Sequence, residues 1–387
     1  MAYNFTDVKN NLTTSDSGLC VHQNIYEWYN CVIDLYASSS VVIDRYITPV
    51  WYVIGILGNS LILKVWIRRM KRASVVTSYL TVLAMSDLLL LLLHILVELK
   101  FAWNIRTIDA PAWCQVIFVF YMFAQYMSPM LIVGFTLERF ISIAMPFKSE
   151  RFSKRNRAPI EICAITILGI ALSIPQIFGW TFKDGNCLGS NSSFFADWTW
   201  FSDILVFCIL PILSFLLNIL VVLFAKRSMN QRKVTAPLSS SHHSKSSFKT
   251  NLRVSTITLL CVSFYRIFTV LPVAIIFALQ FKIPMGDMSM PVSQMKYDKT
   301  WNNYFSYLIA KKIIDEIGLT QYSCNVFIYL ATVNHFRRDV LKMFRKWLPS
   351  NKRDSMELQS YNSNVSKSTY NSRQGLTFKF TEFSTLP

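Results

Sequence analysis

Seven long apolar stretches, separated by polar or basic runs, constrain the fold of this chain more than any other feature. They cover residues 47–67, 75–101, 113–144, 159–180, 198–225, 254–281 and 303–333. A helix needs about 20 apolar residues to cross the hydrocarbon core of a bilayer, and each stretch is long enough to do so. The sequence therefore predicts an all-α membrane protein, with a seven-transmembrane helix bundle over residues 47–333.

The amino-acid composition agrees with a membrane protein and argues against several soluble classes. Charged residues make up 16% of the chain and hydrophobic residues 52%, whereas soluble domains carry about 25% charged residues. The net charge is +17, but surplus Lys and Arg in a membrane protein contact anionic lipids, so we expect no nucleic-acid partner. The five His residues form no ligand cluster and no nucleophile motif is present. We therefore expect no enzyme, no cofactor and no metal site.

The distribution of basic residues predicts the orientation of the bundle. The first, third and fifth loops are strongly basic, and the fifth, over residues 226–253, carries Lys and Arg without any acid. Residues 1–46 hold five acids against Lys9 and Arg45. Because Lys and Arg concentrate in cytoplasmic loops, we expect a multi-pass protein of the plasma membrane with its N-terminus outside and its C-terminus inside.

Half of the eight Cys residues fall on the predicted outer side: Cys20, Cys31, Cys114 and Cys187. An oxidising compartment favours disulfides, and four cysteines allow three pairings. The Asn-x-Ser/Thr glycosylation acceptors Asn4, Asn11 and Asn191 lie on the same side. We therefore expect residues 1–46 to form an extracellular glycosylated N-terminus.

The segment after the last span has two parts. Residues 334–348 place Phe336, Val340 and Phe344 on one face and basic residues on the other, which predicts a short amphipathic helix at the inner leaflet. Residues 349–387 are rich in Ser, Thr and Asn and lack apolar periodicity. We expect them to form a disordered cytoplasmic tail.

Polar residues interrupt the apolar spans at four notable positions: Asn59, Asp87, Ser128 and Asn325. Polar and ionisable groups are costly inside a membrane and usually serve a function there. Two interpretations stay open, a structural hydrogen-bond network between helices and a switch that responds to sodium or protons. The second interpretation includes an allosteric sodium ion beside Asp87.

A motif at the cytoplasmic end of the third span is the most specific signal. It begins with Glu138-Arg139-Phe140 and ends at Pro146. Here the chain resembles the rhodopsin-like (class A) family of G protein-coupled receptors, whose pattern is Asp-Arg-Tyr, two residues, Ile, two residues, Pro. Other residues match landmarks of the family, namely Asn59, Asp87, Cys114, Cys187, Pro211, Pro272, Asn325 and Tyr329. The resemblance covers about residues 45–348.

The resemblance implies a receptor that binds an extracellular ligand and activates a heterotrimeric G protein. It assigns G-protein coupling to residues near the cytoplasmic ends of the spans, Glu138, Arg139, Phe140 and Tyr329. In the resting state Glu138 is expected to hold Arg139. The resemblance also implies a disulfide between Cys114 and Cys187, and contact of arrestin with the Ser- and Thr-rich tail.

Several family landmarks are missing from the fifth and sixth spans. The Cys-Trp-x-Pro motif reads Thr-Val-Leu-Pro, ending at Pro272, and Ile219 stands near the place of a family Tyr. Arg266 replaces the usual Phe about one and a half turns before Pro272, and the sequence assigns no role to it. These changes concern the switch mechanism and not the architecture.

The third and seventh spans argue against two ligand classes. Tyr121 replaces the Asp of amine receptors, and Leu319 replaces the Schiff-base Lys of opsins. The glycosylated N-terminus and the charged outer thirds of the spans resemble neuropeptide receptors of the invertebrate FMRFamide-like group. We therefore expect an amidated peptide whose cationic side chain meets an acid, with Glu98 as first candidate, about three turns beyond Asp87 on the same face. The expected ligand-binding residues are Glu98, Tyr121, Gln125, Lys311, Asp315 and Glu316.

Two alternatives stay open. A chemosensory receptor for a small odorant would have the same fold. A channel or transporter would need a polar stripe along several spans or duplicated halves, and neither is visible in the sequence.

Overall fold

The computed structural model describes residue 20 and residues 25–70, 75–144, 154–183, 185–190, 192–234, 242–280 and 282–347. Its helices in chain order are α1 (Ile25–Tyr36), α2 (Ser38–Val42), α3 (Thr48–Met70), α4 (Val75–Phe101), α5 (Trp113–Ala144), α6 (Lys154–Ser173), α7 (Ser193–Asp203), α8 (Leu210–Val234), α9 (His242–Leu279), α10 (Val292–Met295), α11 (Lys299–Ser323), α12 (Asn325–Thr332) and α13 (Asn334–Trp347). Short π-helical turns at Ile43–Ile47 and Ile204–Ile209 join α2 to α3 and α7 to α8. A 3-10 turn at Ile174–Gly179 follows α6.

The predicted bundle of seven spans is confirmed. The spans are α2–α3, α4, α5, α6, α7–α8, α9 and α11–α12. Among the described residues, the first six spans contain helices that are long and apolar enough to cross a bilayer. The seventh is less apolar because α11 carries five charged residues, Lys299, Lys311, Lys312, Asp315 and Glu316.

Two helical regions begin well before the predicted spans. The first span was expected from residue 47, but the helical region begins at Ser38; the sixth was expected from residue 254, but α9 begins at His242. Backbone hydrogen bonds continue a helix into polar sequence, whereas the apolar pattern marks only the part that lipid covers. The hydrophobic pattern therefore underestimates helix length at both places.

The third span, α5, lies at the centre of the bundle and packs against α4, α6 and α8. The first span packs closely on the second and seventh because it has glycine at two contact points. A Cβ atom on Gly55 would lie 2.5 Å from Leu91 Cδ1, and one on Gly58 would lie 2.9 Å from Val326 Cγ1. This close approach brings the polar residues of three spans together.

The end of the bundle that carries α1 is the predicted outer end. There β1 (Trp180–Lys183) and β2 (Asn186–Gly189) form an antiparallel hairpin, and a disulfide joins Cys187 of β2 to Cys114 of α5, with their Cα atoms 5.6 Å apart. The other outer pair, Cys20 and Cys31, is also bonded, with a Cα separation of 5.7 Å. The structure thus selects one of the three possible pairings.

The N-terminal region contributes a packed helix to this outer end. Trp28 of α1 lies edge-on to Trp301 of α11, with ring centroids 6.4 Å apart, and Tyr29 Oη shares a hydrogen bond of 2.8 Å with Tyr304 Oη. Tyr36 Oη donates to the Val292 carbonyl at 2.8 Å. The described part of the predicted N-terminal domain is therefore folded onto the starts of α10 and α11.

Helix α13 follows the bundle and belongs to a separate compact unit, Asn334–Pro387. Its sequence is strongly amphipathic, and Leu341 and Phe344 are exposed, which is typical of a helix at a membrane surface. The predicted tail over residues 349–387 and the glycosylation acceptors Asn4, Asn11 and Asn191 lie outside the described residues.

Candidate functional site

Asp87 lies at the centre of a polar network in the middle of the bundle. Its carboxylate is fully buried. Ser128 of the third span donates a hydrogen bond to Oδ1, and Asn325 Nδ2 of the seventh span donates to Oδ2 at 2.8 Å. The structure therefore brings three of the four predicted network residues into direct contact.

The fourth residue, Asn59, lies in the neighbouring contact between the first and seventh spans. Its side-chain Nδ2 donates to the carbonyl oxygens of Gly55 at 2.9 Å and Tyr322 at 2.7 Å. The second of these bonds ties the first span to the last turn of α11. Asn59 thus supports the network by positioning the backbone next to Asn325.

Arg266 of the sixth span enters the same region, and the sequence analysis assigned it no role. It is 4% exposed, and its guanidinium carbon lies 5.9 Å from the centroid of the Tyr322 ring, within the range of a cation–π contact. It interacts electrostatically with Asp87, Tyr322 and Tyr329. The sequence shows a basic residue inside an apolar span, which indicates a special role for Arg266, but it does not identify the partners of that residue.

At the predicted cytoplasmic end, Glu138 forms an ion pair with a basic residue of the neighbouring helix. Its Oε2 lies 3.6 Å from Arg157 Nη1 of the fourth span, and Ser142 Oγ donates to its Oε1 at 3.1 Å. Arg157 Nε also lies 3.4 Å from Glu161 Oε1. Glu138 also interacts electrostatically with Arg139. The expectation that it holds Arg139 in the resting state therefore stays a prediction, with Arg157 sharing the same carboxylate.

Arg139 instead lies over an aromatic ring of its own helix. Its guanidinium carbon is 5.3 Å from the centroid of Phe135. Phe140 packs edge-on against Phe224 of the fifth span, with centroids 5.5 Å apart, while Tyr329 packs against Trp66 at 6.5 Å. The four predicted coupling residues therefore do not form one contact cluster, and Arg139 makes no ion pair within the described residues.

The charged residues at the outer end form a group that we call the outer acidic cluster: Asp44, Glu98, Lys311, Lys312, Asp315 and Glu316. Lys312 Nζ lies 2.7 Å from Asp44 Oδ2, and Lys311 pairs with Asp315 one turn along α11. Thr48 Oγ1 donates to Glu316 Oε1 at 2.5 Å. Within the described residues this cluster therefore contains four carboxylates and two lysines, an excess of two acids.

Glu98 is the most buried acid of the outer acidic cluster. It is 8% exposed, and its Oε1 finds no hydrogen-bond donor in the described parts of the chain. It interacts electrostatically with Lys312, Asp44 and Glu316. The side chain also lines a cavity of about 500 Å³ between the first and second spans, together with Tyr52 and Trp103.

The two other predicted ligand residues lie along the third span below this cluster. Tyr121 packs against His94, with ring centroids 5.7 Å apart, and Tyr52 Oη shares a hydrogen bond of 2.5 Å with His94 Nδ1. Gln125 is half-buried one turn further along the same face. An aromatic and polar wall therefore connects the outer acidic cluster to the interior.

A second outer pair, Lys100 and Asp109, is structural. The two side chains are almost completely buried, with Lys100 Nζ 2.5 Å from Asp109 Oδ2 and 3.0 Å from Asn186 Oδ1. Asp109 Oδ1 also accepts from the Cys187 backbone N–H at 2.8 Å. The pair thus fixes the second span to the β-hairpin beside the disulfide.

A half-buried acid between the third and fifth spans, Asp203, was not predicted. Tyr126 Oη donates to Asp203 Oδ1 at 3.0 Å and shares a hydrogen bond of 3.0 Å with Ser202 Oγ. Because Asp203 lies at the start of the second π-helical turn, its direction could not be read from a regular helical pattern. Among the described residues, no group of three or more His, Cys, Asp or Glu side chains could hold a metal ion.

Comparison with known families identifies the class of protein that this bundle represents. The model of the family described as 7 transmembrane receptor (rhodopsin family) matches residues 58–310, which is well over half of the chain. The chain belongs to the rhodopsin family of seven-transmembrane receptors. It is therefore a multi-pass membrane protein of a receptor class, not an enzyme.

Curated relatives agree with this family. The chain is 28% identical over 153 residues to neurotensin receptor type 1 of Rattus norvegicus, which covers 38% of this chain and 36% of that receptor. It is 30% identical over 128 residues to neuromedin-U receptor 2 of Homo sapiens, covering 33% of this chain and 29% of that receptor. The matches thus span about a third of the length of these relatives.

Proposed function

We propose that this chain is a G protein-coupled receptor of the plasma membrane, with its N-terminus outside the cell, that binds an extracellular peptide carrying a cationic group. The observation that carries the proposal is the excess of acid in the outer acidic cluster. Relatives of this chain include receptors named for neuromedin-U and neurotensin, which supports a peptide as the ligand class.

The cluster is suited to a cation because two of its carboxylate oxygens are buried without a hydrogen bond. Glu98 Oε1 on the second span and Glu316 Oε2 on the seventh find no donor in the described structure. A buried carboxylate without a donor is costly, and an arginine or amine of a ligand would supply the missing donors. An arginine forms the more directional pair, since its guanidinium can bind a carboxylate with two parallel hydrogen bonds.

An amidated peptide, the expectation from the sequence, would place its cationic side chain here and its apolar groups against Tyr52 and Tyr121. Differential binding is sufficient for signalling: the ligand must bind one arrangement of the helices better than the other. The cavity of about 500 Å³ beside Glu98 has the size of a small-molecule site. It favours a second candidate function, a chemosensory receptor for a small odorant, if peptides fail.

At the opposite end, Arg139 is the residue that we propose contacts the G protein. It is half-buried at the end of α5 and makes no ion pair within the described residues. A change in helix packing that exposes its guanidinium would therefore let it bind the G protein without first breaking an ion pair. The basic segment of residues 226–253 and α13 would contact anionic lipids and the same partner. The Ser- and Thr-rich tail would be the contact for arrestin.

The test is to express the full-length receptor in cells, apply a library of neuropeptides and record calcium and cyclic AMP. We expect a cationic, amidated peptide to produce a response. Arg139→Ala is the matched control: it should abolish the response while surface expression and binding of the same labelled peptide remain. A normal response from this variant would refute the role of Arg139, and activation by apolar odorants alone would refute the peptide ligand.

A further inference from the structure

The polar network around Asp87 contains a charge that the proposed function does not use. Arg266 is 4% exposed in the middle of the sixth span, and its Nη1 has no hydrogen-bond acceptor within the described part of the chain. Its guanidinium faces the ring of Tyr322. An arginine inside a membrane span is costly unless another charge or a water-filled cavity compensates it. Arg266 therefore requires a counter-charge.

Asp87 is the complementary group. Its carboxylate is fully buried and receives hydrogen bonds from Ser128 and Asn325. Both donors are neutral, so they orient the carboxylate but leave its charge in place. Arg266 lies over the ring of Tyr322, and Asn325, three residues further along the seventh span, donates to Asp87. The described residues show no ion pair between the two side chains, so their charges interact across the network and not by direct contact. The acid of the second span and the base of the sixth thus lie in one buried network.

A sodium ion beside Asp87 does not fit this set of residues. Asp87 and Arg266 together carry no net charge, so that sodium would leave the buried network with one uncompensated positive charge. Opposite charges attract strongly where the dielectric constant is low, and an uncompensated buried charge destabilises a protein. We propose that Arg266 is the built-in counter-charge of Asp87 across the buried network and excludes sodium from this site.

The first experiment measures the thermal unfolding midpoint of the purified full-length receptor in sodium chloride and in choline chloride at equal concentration. It requires neither agonist nor G protein, so its failure is distinct from failure of the proposed function. We expect no difference for the natural receptor. Arg266→Met should unfold at a higher temperature in sodium chloride, because an ion that binds only the folded state raises the midpoint.

Arg266→Lys is the matched control, since it keeps the positive charge and should remain indifferent to sodium. Asp87→Asn combined with Arg266→Met should also be indifferent, because it removes the carboxylate. If sodium stabilises the natural receptor, or if folded Arg266→Met ignores sodium, the exclusion of sodium by Arg266 is wrong.

A double-mutant cycle on surface expression covers the case in which Arg266→Met does not fold. The single variants Asp87→Asn and Arg266→Met each leave one buried charge without its partner, whereas the double variant removes both charges. If the two substitutions acted independently, their fractional losses of surface expression would multiply. We expect the double variant to exceed that level by about 2- to 150-fold, as for coupled neighbours in one network. Losses that simply multiply would overturn the pairing.

Discussion

The outer acidic cluster and the network around Asp87 both bring ionisable side chains together between helices, but their charges balance differently. In the outer cluster Lys311, Lys312 and Asp315 are about a third exposed, whereas Asp87 and Arg266 are buried. Within the described residues, the outer cluster contains Asp44, Glu98, Asp315 and Glu316 against two lysines, whereas the central network contains Asp87 and Arg266. Since an uncompensated buried charge is costly, we propose that the outer cluster binds a cation from outside the chain, whereas the central network carries its own. Charge balance therefore distinguishes the proposed binding site from the internal network, although both contain buried polar groups.

The position of each set agrees with this difference. The outer cluster lies at the outer end of the bundle, where Glu98 lines a cavity of about 500 Å³ between the first and second spans, beside the exposed side chains of Val53 and Leu57. The central network lies deeper, where Asp87 is fully buried and its oxygens already accept hydrogen bonds from two spans. A ligand can bring a cation to the outer acidic cluster. At the central network, the counter-charge of Asp87 would have to come from a side chain of the receptor itself.

The largest effect on stability should come from breaking the pair of Lys100 and Asp109. Its two charges balance each other, as in the central network and unlike in the outer acidic cluster. Lys100→Met leaves Asp109 buried without its cation, and breaking a buried pair typically costs about 3–5 kcal/mol. We expect a large fall in the thermal unfolding midpoint and in surface expression. Receptors that reach the surface should keep their potency for a cationic peptide, because Lys100 is held by Asp109 and Asn186 and not by the ligand.

The double variant Lys100→Met, Asp109→Leu is the control for this prediction. It removes both charges, and replacement of a buried ion pair by apolar residues is often neutral; we expect partial recovery of the midpoint. A Lys100→Met receptor of normal stability but altered peptide potency would show that this pair belongs to the ligand site.

A smaller effect should come from making the acidic cluster more acidic. Lys311 pairs with Asp315 one turn away, and both side chains are about a third exposed, so the pair contributes less than about 1 kcal/mol to stability. Lys311→Ala should leave the midpoint nearly unchanged and raise the potency of a cationic peptide by about 2- to 5-fold. A loss of potency would indicate that Lys311 itself binds an anionic group of the ligand.

The sequence predicted the bundle because membrane spans are set by one property, the length of apolar sequence. It also placed Glu98, Asp315 and Glu316 at the same end of the bundle. For Glu98 the reason is helical periodicity, which relates its position to that of Asp87. Asp44 was missed because the predicted span begins at residue 47, although the helical region continues through it. Thr48 lies inside the predicted span, but the sequence did not show that its hydroxyl meets Glu316.

The remaining contacts depend on packing that no periodicity encodes. Arg266 and Asp87 lie on different spans far apart in sequence, and a long side chain can reach several neighbours. For the same reason Arg157, not Arg139, lies against Glu138. The sequence could show that these groups were ionisable and buried, but only the packing of the helices shows which opposite charge each one meets.

The central claim is that the outer acidic cluster binds a cation of the ligand, and Glu98 tests it most directly. The measurement compares the potency of a cationic peptide and its neutral analogue at the natural receptor, at Glu98→Gln and at Glu98→Lys, with surface expression matched. Losing one partner of a partly desolvated charge pair typically costs about 2–5 kcal/mol, which is roughly 30- to several-thousand-fold in affinity. We predict such a loss for the cationic peptide at Glu98→Lys, a smaller loss at Glu98→Gln and little change for the neutral analogue. Equal potencies of the cationic peptide at all three receptors would contradict the account.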